Sequence, residues 1–272
     1  MKKIIAFVLA LTLCLGLTGC GALDSLLGGG DPIISYETTD YRTPGSHCYS
    51  LLGKLTVKSG KVKIPMKLEA SGRVTEDPAR SYLDISVGAM MIKVHNEIYT
   101  EERDGRVYTY TGLLEDNGTS WETSSVEKGN TEFGIQYLPE FLEKLTEMEK
   151  TGTAKAATGE KGDLYEGYVS ADRIREALDF ILSMEPGQKS EEAREELEEI
   201  LSGMDPNTRL PVTVIMDGDQ VLEFYMDMMP LSQKLLDGRG NEETQISEFF
   251  LRVNFWNYGS AQPIEIPQEA RD

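Results

Sequence analysis

Two histidines and three cysteines stand among 272 residues. His47 and Cys48 are adjacent, and an imidazolium beside a thiol lowers its pKa and raises its reactivity. In a strand, however, neighbouring side chains point to opposite faces. The pair is therefore a poor nucleophile and base, and a small buried Cys48 is the expectation. His95 lies between Val94 and Asn96 in a strand pattern that puts Lys93 and Glu97 on its own face, so a solvent-facing imidazole is expected. No Gly-rich phosphate loop, Cys-x-x-Cys pair or nucleophile elbow occurs. Acidic pairs are so plentiful that none stands out as a glycosidase dyad. Met226, Met228 and Met229 carry the soft thioethers that select copper(I), but no His or Cys motif accompanies them. With Met66, Met90, Met91 and Met216 they fall in or beside strand patterns, where flexible thioethers fill a core or line a cavity for irregular apolar ligands. The reading is of a non-enzymatic chain with no cofactor and no metal.

One cysteine has a more specific context. Lys2 and Lys3 form a positive n-region, and Ile4 to Leu17 form an apolar run of the size of a secretory signal. That run is short for a membrane span. Leu17-Thr18-Gly19-Cys20 follows directly and resembles the lipobox, in which the cysteine thiol receives diacylglycerol. An ordinary signal peptide that happens to contain a cysteine is the alternative, since Cys14 occurs in the run itself. Residues 1–19 are thus expected to be a signal peptide. Acyl chains on Cys20 would anchor the protein at the extracytoplasmic face of the cell membrane. Residues 20–34 contain Gly28-Gly29-Gly30 and are expected to be a flexible tether, with 35–272 as a single domain.

Composition narrows the partners. The chain carries 27 Lys and Arg against 46 Asp and Glu, a net charge of −19, and loss of Lys2 and Lys3 would bring it to −21. Such a charge opposes binding to nucleic acid and to anionic headgroups by simple attraction. With Cys14 removed and Cys20 acylated, Cys48 alone remains, so no intramolecular disulfide is available and the fold must rest on its core.

The elements that would hold this core read mainly as strands. Val62, Ile64, Met66, Leu68 and Ala70 alternate with Lys63, Pro65, Lys67, Glu69 and Ser71, giving one apolar and one solvated face. Cys48 to Lys58 is its hairpin partner across Ser59-Gly60-Lys61, and Ser81 to Val87 follows. Met90 to Val94, Glu97 to Glu102, Arg106 to Thr111 and Ser120 to Ser124 are separated by turn signals and continue a meander. Leu138, Phe141, Leu142, Leu145 and Met148 have helical spacing. Lys161 to Val169 returns to strand. Helices are predicted after the cap at Ser170 and from Ser190 to Met204, the latter with a strongly acidic face. Its carboxylates lack an EF-hand's loop spacing. Arg209 to Met216 and Gln220 to Asp227 flank Asp217-Gly218-Asp219, a hairpin signal. Gln245 to Trp256 closes the sheet with aromatic groups on both faces. This order predicts an α+β fold, one large antiparallel sheet with helices packed on one face.

Several segments resemble the LolA-like fold of lipoprotein carriers, and more closely the acylated mycobacterial LppX/LprG-like lipoproteins that carry glycolipids. They are the hairpin Val212 to Gly218, the strand Leu222 to Asp227, and the ending Val253-Asn254-Phe255-Trp256-Asn257-Tyr258-Gly259 with Ile264-Glu265-Ile266-Pro267. The similarity spans about residues 35–269. It implies an open, curved half-barrel whose concave face is closed by helices around an apolar cavity, with no catalytic residue. The expected lining is Val62, Ile64, Met66, Leu68, Ile92, Val94, Met226, Phe249, Leu251, Val253 and Phe255, and the expected ligand is a lipid or other apolar molecule. An interaction module binding a protein or wall polymer, without a cavity, is the alternative, and an extracellular hydrolase is the third. The protein partner is unknown.

Overall fold

The computed structural model describes residues 46–89, 92–115, 118–127, 146–170, 208–232 and 244–271. Alternation of apolar and polar residues lays these down as eleven strands. They are β1 (His47–Ser59), β2 (Val62–Glu76), β3 (Ala79–Ala89), β4 (Ile92–Arg103), β5 (Arg106–Glu115), β6 (Gly118–Glu127), β7 (Thr146–Lys155), β8 (Lys161–Ser170), β9 (Arg209–Asp217), β10 (Gln220–Asp227) and β11 (Thr244–Trp256). All join one antiparallel sheet in the order β6-β5-β4-β3-β2-β1-β11-β10-β9-β8-β7. The first six strands wind outward from β1, the last five wind inward to β11, and β1 pairs with β11 to join the two wings.

Turn chemistry sets this register. Gly60, Gly105 and Gly218 adopt positive φ between β1 and β2, β4 and β5, and β9 and β10, the conformation that tight hairpins demand and glycine supplies without strain. After β11, Asn257 at φ 56° and Gly259 at φ 69° turn the chain. The Gly259 amide donates to the Ser46 carbonyl at 2.6 Å, and the Tyr258 hydroxyl donates to the Val221 carbonyl at 2.6 Å. The Asn-Tyr-Gly sequence is therefore a clamp at one end of the wing junction.

The expectation of an α+β fold is corrected. Among the described residues no helix reaches seven residues, and every long element is a strand of the one sheet. Met148, expected on a helix, lies in β7, whose mostly polar side chains give no apolar alternation. The helices expected after Ser170 and from Ser190 lie outside the described residues. Residues 92–94 and 97–102, expected in two short strands, belong to the single β4, which runs through the polar Asn96.

Candidate ligand-binding face

One face of the sheet is apolar over its middle strands, β3 to β9, because period-two alternation and strand register act together. Ile85, Ala70, Leu51, Val253, Phe224 and Val214 stand side by side on six consecutive strands. Asn96 and Leu113 extend this row at one end, Tyr165 and Lys150 at the other. The next row runs Val94, Val87, Leu68, Gly53, Leu251, Met226 and Val212. At the centre Val253 and Phe255 are wholly buried, and Leu51 and Phe224 nearly so. Met228 and Leu231, just after β10, add to the same cluster.

Ten of the eleven expected lining residues, all but Ile92, are placed on this face, at different depths. Met66, Leu68, Phe249, Leu251, Val253 and Phe255 are buried, whereas Ile64 and Met226 are half-buried. Val62 and Val94 are exposed, at 56% and 48%. Ile92 pairs with Ala89 through its backbone. Cys20 and the tether lie outside the described residues. Tyr49, Leu55, Leu210, Val212 and Val214 belong to the same cluster and were absent from the expected lining. The alternation Leu210, Val212, Val214, Met216 was the signal available for three of them.

Polar groups are few in the middle of this face, whereas Thr109, Thr111, Ser120 and Glu122 stand on β5 and β6, and Lys150 and Asp163 on β7 and β8. Asn96 is half-buried between Ile85 and Leu113, and its Oδ1 is enclosed without a hydrogen-bond partner. The Tyr49 ring lies over Gly72, where a Cβ would meet its hydroxyl at 2.5 Å. Burial pushes the Tyr49 phenol well above its ordinary pKa, so it stays protonated and donates to the Tyr82 carbonyl at 3.5 Å. His47 is 1% exposed, among the rings of Tyr49, Phe255 and Tyr258. Cys48 is half-buried on the opposite face, with the Asn257 amide 3.9 Å from its Sγ. The two side chains are therefore separated by the sheet. The expectation of a solvent-facing His95 is modified: its Nε2 is 3.0 Å from Asp84 Oδ1, and the side chain is 31% exposed.

The opposite, outer face is finished differently in each wing. Over β3 to β6, Tyr99, Tyr110, Tyr82, Tyr108 and Trp121 pack with Ile264, Ile266 and Ala270 from the C-terminal segment. Glu101, only 7% exposed at its side chain, accepts from Tyr110 at 2.9 Å and from Arg271 at 2.9 Å, with Arg80 at 3.4 Å and Arg103 at 3.7 Å. Arg80 also donates to the Ile264 carbonyl at 2.8 Å, and Thr123 to the Ala270 carbonyl at 3.1 Å. Over β8 to β10 a smaller cluster of Ala156, Ile215 and Leu222 is covered by the β7–β8 turn. Among the described residues no cluster of three His, Cys, Asp or Glu could hold a metal ion, and no helix is long and apolar enough to cross a membrane.

No family model and no curated protein matches the chain. Among solved structures, it is similar to a DUF1329 family protein from Desulfovibrio piger at 9% identity, over 79% of this chain and 86% of that one, with a TM-score of 0.23. It is also similar to a β-barrel-like protein of domain of unknown function DUF1849 from Brucella abortus at 7% identity, over 78% of this chain and 98% of that one, with a TM-score of 0.25. Both likenesses are remote and assign neither family nor function. The LolA-like and LppX/LprG-like resemblance therefore rests on the sequence segments quoted for it.

Proposed function

We propose that this protein is a lipid-anchored lipoprotein of the extracytoplasmic membrane face that holds a lipid or other apolar ligand against its apolar sheet face, without catalysis. The observation that carries this reading is the row from Leu251 through Leu68 and Val87 to the exposed Val94. It passes from a buried centre to solvent without a polar residue. An apolar path open at one end, with a few fixed polar groups, is the usual build of a site for apolar ligands. The lipobox-like Leu17-Thr18-Gly19-Cys20 supports the anchor and the location.

The test is native mass spectrometry with lipid extraction on the chain from Gly21 onward, which keeps every described strand. Co-purifying lipid is expected, together with uptake of a fluorescent fatty acid. Val94→Asp changes an exposed position and should leave the melting temperature within a few degrees while cutting uptake at least about tenfold, given the cost of placing a charge beside an apolar ligand. A lipid-free parent chain that also ignores the fatty acid would sink this reading.

A second reading, an interaction module that pairs with an extended partner, rests on β6. This edge strand keeps an unbroken ten-residue register with β5 and contains no Lys, Pro or bulge, the devices that usually blunt a sheet edge. The other edge, β7, has a register shift between Lys150 and Gly152.

A further inference from the structure

The β1–β2 hairpin has a charge opposite to that of the molecule. Residues 54–67 contain Lys54, Lys58, Lys61, Lys63 and Lys67 and no carboxylate, within a chain of net charge −19. Register sets Lys54 directly opposite Lys67, and Lys58 directly opposite Lys63. Like charges so placed weaken a hairpin, so local stability does not account for them. Gly88 alone stands between Lys67 and Lys93 in the next strands, which adds Lys93 to the same outer face. Glu248 pairs with Lys54 at 2.8 Å and Glu69 with Lys67 at 3.2 Å. Lys58, Lys61, Lys63 and Lys93 are exposed and form no ion pair among the described residues. At the turn itself, between Lys61 and Lys63, Val62 is 56% exposed.

We propose that this hairpin tip docks on an anionic lipid surface, with the lysines against headgroup phosphates and Val62 entering the interface. Net charge does not decide the matter. Screening confines each charge to about 8 Å at physiological salt, so a surface at the tip meets the local lysines and little of the remote acidic surface. Long lysine stems lie along apolar material while their ammonium groups stay in water, which suits a tip that alternates Lys61, Val62 and Lys63. The apolar tip favours a bilayer over a soluble polyanion, which offers Val62 no apolar surroundings. Val62 begins β2 on the apolar face, and Val94 stands further in, opposite Val87 and level with Leu68. The docking surface is independent of whether the face holds a lipid.

The test uses the chain from Gly21, which lacks any acyl group, and sediments it with phosphatidylcholine vesicles with or without about one-third phosphatidylglycerol. Binding to the anionic vesicles alone, weakened by salt, is expected. Lys58→Glu, Lys63→Glu and Lys93→Glu, each a change of two charge units, should each lower it by more than about fivefold, and Val62→Asp should also lower it. Lys58→Glu turns a repulsive cross-strand pair into an attractive one, so its melting temperature should be at least that of the parent, which separates lost docking from lost folding. Equal binding to both vesicle types, unchanged binding in a variant that combines Lys58→Glu, Lys63→Glu and Lys93→Glu, or binding to soluble polyphosphate but not to vesicles would each overturn the proposal. Fatty-acid uptake is measured in parallel on the lysine variants and should be unchanged.

Discussion

The outer faces of the two wings are closed by different means. The β7–β10 wing finishes its own surface: the β7–β8 turn brings Ala156 over Ile215 and Leu222, and the Ala157 amide donates to Glu223 at 2.6 Å. The β3–β6 wing depends on residues far away in sequence, because its aromatic cluster is completed by Ile264, Ile266 and Ala270 and tied down through Glu101. A sheet side that carries many large rings needs an apolar cover, whereas small aliphatic side chains can be covered by one turn. The outer face of the N-terminal wing is thus closed only when residues 264–271 pack on it.

The strongest way to break this asymmetry is to delete residues 260–272. Loss of two buried isoleucines and the Arg271 contact should cost about 5 kcal/mol. Hydrogen exchange should rise in β3 to β6 while β8 to β10 keep their protection; equal loss in both wings would contradict the asymmetry. A smaller effect is expected of Glu101→Gln, which leaves Arg80, Arg103 and Arg271 facing a neutral amide. Breaking a buried ion pair costs more than breaking an exposed one, but these arginines are 25%, 52% and 32% exposed. A loss of about 2 kcal/mol in urea unfolding is therefore expected. A change below about 0.5 kcal/mol would show that the apolar cover holds the segment alone.

The smallest effect belongs to the wing junction. Lys54, hydrogen-bonded to Glu248, holds that carboxyl below its ordinary pKa, with Thr56 and Lys63 adding to the effect. A depressed carboxylate pKa contributes stability above the unfolded pKa, and this contribution is lost as pH falls through the lower folded value. Glu248→Gln should therefore cost under about 1 kcal/mol at neutral pH and nothing at acid pH. Thermal melts of parent and variant should converge below the carboxylate range, and a gap that widens with acid would contradict the sign.

Most strands were legible in the sequence because apolar alternation and turn dipeptides agree. Val62 to Ala70 and the hairpin around Asp217-Gly218-Asp219 signalled their strands in this way. Thr146–Lys155 was not legible as a strand. An edge strand buries few side chains, so polar residues carry no period, and Met148 fitted the helical spacing that preceded it. Asn96 interrupted the alternation of β4 and split it into two. The shared face of the expected lining residues followed from period two alone. The closure of the aromatic wing did not, because Arg80 and Ile264 are 184 residues apart and no local pattern encodes such a contact.

The pairing of the first strand with the last also bears on the order of assembly. β1 cannot find its partner until residues 244–256 have been synthesised, and contacts that close such long loops form slowly. The seam between the two wings would then close last, after the consecutive hairpins of β1 to β6 have formed.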